Sequence, residues 1–344
     1  MESIDKTATK AAWVYNTNGQ FRDVLKLDKE FPSETSEDFK PDDILVDVVA
    51  MSINPVDYKL MQTYKFIGKG LKFPFVPGLD FAGKIVATGP DVRGLKVGDH
   101  VWGKQAIHRY RLQGGTLTTR VLTDTKCIYP LPESISFNDA AGFGVAGLTA
   151  WEGLVEHMKI KPGQKVVVLG GSGGVGTFAI QIAKALGAEV TSISSTTNLQ
   201  LCKSLGAAHT IDYKSENVVA RLAEIGPYDY VFDLINDNGL YNTSSKFLKP
   251  EGTFFGVASD FSFSFIASAL SRKFRPKILG GSSHSYYDLR LKSEPKTIKE
   301  FTEFVVENGI KTVTDSVYSF DHALDAFERL TSHRAKGKII IKMD

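Results

Sequence analysis

The chain is expected to be an α/β protein in which a doubly wound parallel sheet is inserted into a β-rich domain. Three observations carry that expectation. From Lys165 to Val257, apolar strands alternate with helical patterns, the rhythm of βαβ units. A glycine loop stands where the first of these strands meets the first helix. The flanking segments read differently, being β-rich before the repeat and mixed after Ser283. At 344 residues the chain exceeds what one core usually organises, so two domains sharing a ligand cleft are expected. The boundaries are placed at 1–142 for the β-rich domain, 143–283 for the inserted domain and 284–344 for the return to the first.

The elements follow in order. Ile44–Met51 and Phe81–Thr88 read as strands, with glycine and proline punctuating at short intervals. In the inserted domain the strands are Val166–Leu169, Glu189–Ile193, Tyr228–Leu234 and Thr253–Val257. A helix opens near Gly174 and stops at Gly187. Another starts at about Thr197, aligns Leu199, Cys202 and Leu205 on one face, and ends at Gly206. A helix over Pro295–Asn308 and a last strand over Lys338–Met343 return the chain to the first domain.

Composition narrows the function classes. Apolar residues make up 42%, charged residues 23%, and the net charge is +2, the profile of an ordinary globular protein without a polyanionic partner. His108–Arg111 is too brief a basic cluster to argue nucleic-acid binding. Cys127 and Cys202 are isolated, so neither a disulfide framework nor a cysteine zinc site is expected, and a reducing compartment follows. The seven histidines show no metal spacing. Met1–Lys10 lacks the marks of a secretory or transit peptide. The apolar run Phe261–Leu270 is about half the length a spanning helix needs and reads as a buried helix or cleft wall. A cytoplasmic location is expected, and peripheral association with an organelle or lipid surface is compatible with it.

Gly171, Gly173 and Gly176 form G-x-G-x-x-G between a buried strand and a helix. Glycine at 171 permits the tight turn, at 173 the approach of a pyrophosphate, and at 176 close helix–strand packing. The helix start adds unpaired amides and partial positive charge. Ser172, Gly174 and Val175 complete the loop of a Rossmann dinucleotide site. An NAD-preferring site carries an acid at the end of the second strand; here Ile193 is followed by Ser194, Ser195, Thr196, Thr197 and Asn198. No carboxylate there would repel a 2′-phosphate, and the hydroxyls with Asn198 offer donors, so NADPH is the expected cofactor. Glu189 stands at the opposite end of that strand and reads as solvated.

These pieces together resemble the medium-chain dehydrogenase/reductase superfamily, and within it the zinc-independent quinone oxidoreductase and enone reductase group. The carriers are Asn54-Pro55-Val56-Asp57-Tyr58-Lys59, Pro77-Gly78-Leu79-Asp80-Phe81-Ala82-Gly83, Val97-Gly98-Asp99 and Val145-Ala146-Gly147-Leu148-Thr149-Ala150. Beyond the glycine loop they continue through Leu205-Gly206-Ala207, Ile211-Asp212-Tyr213, Tyr228–Asp233 and Lys336-Gly337-Lys338-Ile339. The run Asp315–Met343 looks like a fungal subgroup. The resemblance implies a GroES-like catalytic domain around the Rossmann domain and a possible homodimer. It also implies cofactor contacts from Thr149, Tyr213, Leu234, Val257 and Lys338. Leu79 stands where zinc alcohol dehydrogenases carry the histidine of G-H-E, and their four-cysteine lobe has no counterpart. Gly115–Thr119 lacks the glutamate of the quinone oxidoreductases, and Asn198 replaces their basic residue.

Without a metal, a site cannot polarise a simple carbonyl strongly, so the expected substrates are already electrophilic. Quinones and α,β-unsaturated carbonyls fit, because hydride leaves a delocalised oxyanion that hydrogen-bond donors can stabilise. The resemblance implies that Asn54, Asp57, Tyr58 and Lys59 face the nicotinamide. Lys59 or Tyr58 would steady the oxyanion or the ribose, and solvent or Tyr58 would supply the proton. Asn54 and Asp57 beside Pro55 are equally what a helix cap uses, and Asp80 reads as fixing local structure. A non-catalytic NADPH-binding sensor or scaffold of the same fold is the alternative; a zinc alcohol dehydrogenase is a further rival that elemental analysis would separate.

Overall fold

The computed structural model describes residues 9–35, 39–67, 73–105, 114–257, 282 and 284–343. The chain divides into two compact units, Met1–Leu148 with Lys292–Asp344, and Thr149–Leu291. The first holds strands β1 (Thr9–Val14), β2 (Lys26–Pro32), β3 (Asp43–Ile53), β4 (Asp80–Thr88), β5 (His100–Lys104), β6 (Arg120–Asp124) and β7 (Ile128–Pro130). The second holds β8 (Lys165–Leu169), β9 (Glu189–Ser194), β10 (His209–Asp212), β11 (Tyr228–Asp233), β12 (Leu248–Val257) and β13 (Ser285–Leu289). β14 (Thr314–Ser319) and β15 (Lys338–Lys342) complete the first unit.

In the first unit β3 is the organising strand. It pairs antiparallel with β4, β6 and β15, and almost every residue along it is buried. The sheet runs β14-β15-β3-β4-β5-β7, with β6 also on β3. Pairing of Ile339 with Ile53 draws Lys338 alongside Asn54, 284 residues away. The helix Pro295–Asn308 fits its sequence prediction residue for residue. Proline opens it, Ile298, Phe301 and Val305 form its buried stripe, and Gly309 ends it in a left-handed conformation at φ 61°. Phe301 meets Trp102 and Phe143 edge-on, with ring centroids 5.9 and 5.4 Å away, an arrangement worth about 0.5–1.5 kcal/mol per pair beyond burial.

The second unit is one six-stranded parallel sheet in the order β10-β9-β8-β11-β12-β13. Numbered within the unit, that order is 3-2-1-4-5-6, the doubly wound arrangement whose strand order reverses between β8 and β11. Val166, Val167 and Val168 are fully buried, as expected where helices cover both faces of a parallel sheet. The sheet extends past residue 283 because β13 pairs with β12 from Ser285 to Leu289. That strand, Ser-Tyr-Tyr-Asp-Leu, has no apolar run to announce it. The apolar run Phe261–Leu270 and the cluster His108–Arg111 lie outside the described residues. Among the described residues, no helix is long and apolar enough to cross a membrane.

Candidate cofactor and active site

The parallel sheet aligns the C-terminal ends of its strands, and the reversal of order opens a crevice there. Leu169 and Asp233 end the two strands that flank it, and the Leu234 N–H donates to the Leu169 carbonyl at 3.2 Å. The glycine loop starts at this point. A Cβ on Gly176 would stand 2.3 Å from the Gly170 carbonyl oxygen, and one on Gly171 would stand 2.0 Å from Ser192 Oγ. Packing within the chain thus requires both glycines. Gly173 is different, because the nearest atom to its missing Cβ is 3.4 Å away. The chain leaves the space at Gly173 open.

Gly173 is also the N-cap of the helix Gly174–Ala185 and provides no side-chain cap. Among the described residues, the first-turn amides of Gly174, Val175 and Gly176 therefore have no side-chain acceptor, and the helix dipole adds positive potential. An anionic diphosphate fits this cradle. Ser172 accepts a hydrogen bond from Asn198 Nδ2 at 2.9 Å, tying the loop to the turn after β9. Ser194 is buried and Tyr213 is 55% exposed, with the Tyr213 N–H on the Ser194 carbonyl. Ser195, Leu234 and Val257 are half-buried at the same sheet edge. Glu189 stands at the other end of β9, where it pairs with Lys165 and His209, each at 3.3 Å. The structure thus brings Gly171–Gly176, Ser194, Ser195, Asn198, Tyr213, Leu234 and Val257 to one edge. Thr149 is buried at the start of the unit.

Two residues of this edge, named in the sequence only as carriers of the resemblance, were given no role there. Asp233 is fully buried and accepts the N–H groups of Ile235, Asn236 and Asp237 at 2.8–2.9 Å. Burial pushes its carboxyl up to about 6 against those three donors. Asp212 ends β10 and accepts the Thr196 hydroxyl at 2.6 Å. A carboxylate as the last residue of the strand was the available signal in both cases.

In the first unit, Asn54 precedes the helix Pro55–Ile67 and its N–H donates to Asp57 Oδ2 at 2.7 Å. Asp57 thus caps the backbone at the helix start from its third position, with proline at the first helical position where its missing N–H costs nothing. Asn54 Nδ2 donates to Asp80 Oδ2 at 2.8 Å, and its Oδ1 accepts the Lys338 ammonium at 2.6 Å. Asp80 Oδ2 also accepts the Ser52 hydroxyl, and Asp80 Oδ1 accepts the Val145 N–H at 2.7 Å. Asn54, Asp57, Asp80 and Lys338 are all at most 3% exposed. Burial pushes the Asp57 carboxyl up to about 7, with Asp80 adding to the rise and the Asn54 N–H and Lys338 opposing it. Burial also lowers Lys338. Of the residues expected to meet substrate or cofactor, Asn54 and Lys338 spend their polar groups on one another and on Asp80, and Asp57 accepts the Asn54 N–H. Tyr58 is 8% exposed, and Lys59, one step further along the helix, is half-buried. Leu79, beside Asp80, packs against the hydrophobic core. Among the described residues no three His, Cys, Asp or Glu side chains are grouped to hold a metal ion.

Two family models match the chain: an alcohol dehydrogenase GroES-like domain over residues 40–133 and a zinc-binding dehydrogenase over residues 205–341. The chain is 54% identical to a zinc-type alcohol dehydrogenase-like protein of Schizosaccharomyces pombe, over 100% of this chain and 99% of that protein. It is 33% identical to the 2-methylene-furan-3-one reductase of Solanum lycopersicum, over 98% of this chain and 80% of that protein. Identity to the chloroplastic NADPH-dependent alkenal/one oxidoreductase of Arabidopsis thaliana is 32%, over 96% and 78%. Among solved structures, the quinone oxidoreductase from Coxiella burnetii matches with a TM-score of 0.83 at 27% identity, covering 97% of this chain and 99% of that one.

Proposed function

The chain belongs to the medium-chain dehydrogenase/reductase superfamily, alongside its quinone oxidoreductases and enone reductases, and on that premise we propose that it is an NADPH-dependent reductase passing hydride to a quinone or an α,β-unsaturated carbonyl without a metal. Membership makes it an oxidoreductase that works with a nicotinamide cofactor. The observation that carries the fuller reading is the uncapped helix start beside Gly173, a cradle that the chain itself leaves open. The amides of Gly174, Val175 and Gly176 hold the diphosphate. Ser172, Ser194, Ser195, Asn198 and Tyr213 hold the adenosine end, and Leu234 and Val257 line the continuation along the sheet edge. When bound, the cofactor supplies the hydride.

The cap formed by Asn54 and Asp57 fixes the start of the helix that carries Lys59. Lys59 then serves as the donor to the developing oxyanion, a part that suits its partial exposure better than it suits buried Tyr58. Solvent supplies the proton. Lys338 acts through Asn54 by holding its amide. The test is NADPH oxidation against a panel of quinones and enones, with Lys59→Met beside the native chain. Loss of one preorganised oxyanion donor costs turnover about 10² to 10³, so Lys59→Met should bind NADPH normally and turn over that much more slowly. Cofactor binding without turnover of any panel member would favour a sensor or scaffold. Native turnover in Lys59→Met would remove this lysine from the site.

A further inference from the structure

β9 ends without the acid that an unphosphorylated ribose uses and without the base that a 2′-phosphate uses, since Ser195, Thr196, Thr197 and Asn198 follow it. The adjacent strand offers what is missing. β10 pairs with β9 so that Asp212 lies across from Ser194, and the Tyr213 N–H donates to the Ser194 carbonyl at 3.2 Å. Tyr213 and Lys214 therefore start out beside the turn after β9. Asp212 holds them there. Its Oδ1 accepts the Lys214 N–H at 3.0 Å, and its Oδ2 accepts the Ser215 and Thr196 hydroxyls at 2.8 and 2.6 Å. One carboxylate thus ties the turn after β10 to the turn after β9.

Both oxygens of Asp212 are occupied by donors, with the Thr196 hydroxyl foremost in holding its carboxyl below the usual range. Its charge is spent inside the turn instead of facing a ligand. Glu216 is engaged by Arg221 at 3.1 Å and by the Asp212 N–H at 2.8 Å. The Lys214 side chain is exposed, and among the described residues no carboxylate pairs with its ammonium. Thr196 gives its proton to Asp212, and Asn198 gives one N–H to Ser172, so the donors left in the turn after β9 are neutral. A dianionic phosphate binds far more strongly where a cation joins such donors.

We infer that Lys214 is the residue that selects a 2′-phosphorylated dinucleotide, with Asp212 as the positioning residue that holds it beside the turn after β9. The inference rests on the nicotinamide-cofactor reading above and assigns the cation that reading lacks.

Calorimetric titration of the full chain with ADP-ribose and with its 2′-phosphate isolates the contact without any turnover. The native chain should prefer the 2′-phosphate. Lys214→Gln should weaken that ligand about tenfold at low ionic strength while moving ADP-ribose less than about twofold, and Lys214→Arg should retain the preference. Asp212→Asn should narrow the ratio between the two ligands, a readout that a general loss of stability would not move. Equal effects on both ligands, or no effect, would overturn the role of Lys214. Equal native affinities would also overturn it while leaving nucleotide binding intact. Binding of neither ligand would instead sink the cofactor reading itself.

Discussion

The two polar clusters differ in where their hydrogen bonds go. At the edge of the parallel sheet, the first-turn amides beside Gly173 have no side-chain acceptor among the described residues, and Tyr213 stands 55% exposed. In the first unit, Asn54, Asp80 and Lys338 satisfy one another at 0–3% exposure. Both clusters contain residues that sequence patterns mark as functional. Polar groups that a chain leaves unpaired at an accessible edge are available to a ligand. Polar groups paired in the interior hold the fold, because an unpaired one there is costly. Substitutions in the first cluster should therefore read out as stability and those at the sheet edge as affinity.

The largest effect is expected at Asp80. Asp80→Ala removes the carboxylate that accepts from Ser52, Asn54 and Val145 and faces the Lys338 ammonium at 3.4 Å. Removing one partner of a buried ion pair leaves a buried charge uncompensated and costs about 3–5 kcal/mol. Urea denaturation should show that loss, and Lys338→Met added to Asp80→Ala should recover part of it. A loss below about 1 kcal/mol would mean that the cluster is hydrated and that the contrast between the regions is false.

Much of the second unit was legible in sequence because its signals are local. The strand pattern, the glycine loop and the Gly206 helix stop lie within a few residues of their effects, and Gly206 does take a left-handed conformation at φ 114°. The Asp80 cluster was legible only in part. Asn54-Pro55-Val56-Asp57 carries the marks of a helix cap, which the structure bears out, but Ser52, Asp80, Val145 and Lys338 converge through strand register and a π-helical turn, Phe143–Gly147. No local pattern encodes that register. β13 escaped because a short, polar edge strand has no alternation to read.

The middle effect comes from two glycines of one motif. Gly176→Ala places a Cβ 2.3 Å from the Gly170 oxygen, so backbone must move, at a cost of about 1–3 kcal/mol in stability. Gly173→Ala meets nothing closer than 3.4 Å, and Gly173 has φ −80°, which alanine adopts readily. Gly173→Ala should keep native stability within about 0.5 kcal/mol and lose NADPH affinity. Paired thermal melts and cofactor titrations would check this. Equal destabilisation by both would place Gly173 among the packing glycines and remove the argument for an open cradle.

The smallest effect, and the finest test of the buried cluster, is Asp57→Asn. Asp57 Oδ2 accepts the Asn54 N–H, while Oδ1 is buried with no hydrogen-bond partner among the described residues. The charged form is therefore poorly solvated, which accounts for a carboxyl raised from 3.8 to about 7. Below 3.8 the folded and unfolded chains both carry this proton. Between 3.8 and about 7 the folded chain keeps it while the unfolded chain releases it, so this group's stabilising contribution falls as pH rises, by up to about 1.4 kcal/mol per pH unit. Above about 7 both states are ionised and the slope vanishes. Asparagine is neutral, nearly isosteric and able to accept the same N–H. At pH 4, where the folded chain's acid is protonated and asparagine is equally neutral, the substitution should change stability by less than about 1 kcal/mol, and across pH 4–7 it should flatten the dependence, leaving Asp57→Asn the more stable chain at pH 7. Denaturation series at several pH values would compare the two slopes. A native chain whose stability changes between pH 4 and 7 no differently from that of Asp57→Asn would mean that Asp57 is already ionised inside the fold, with Lys338 neutralising it in place of a proton.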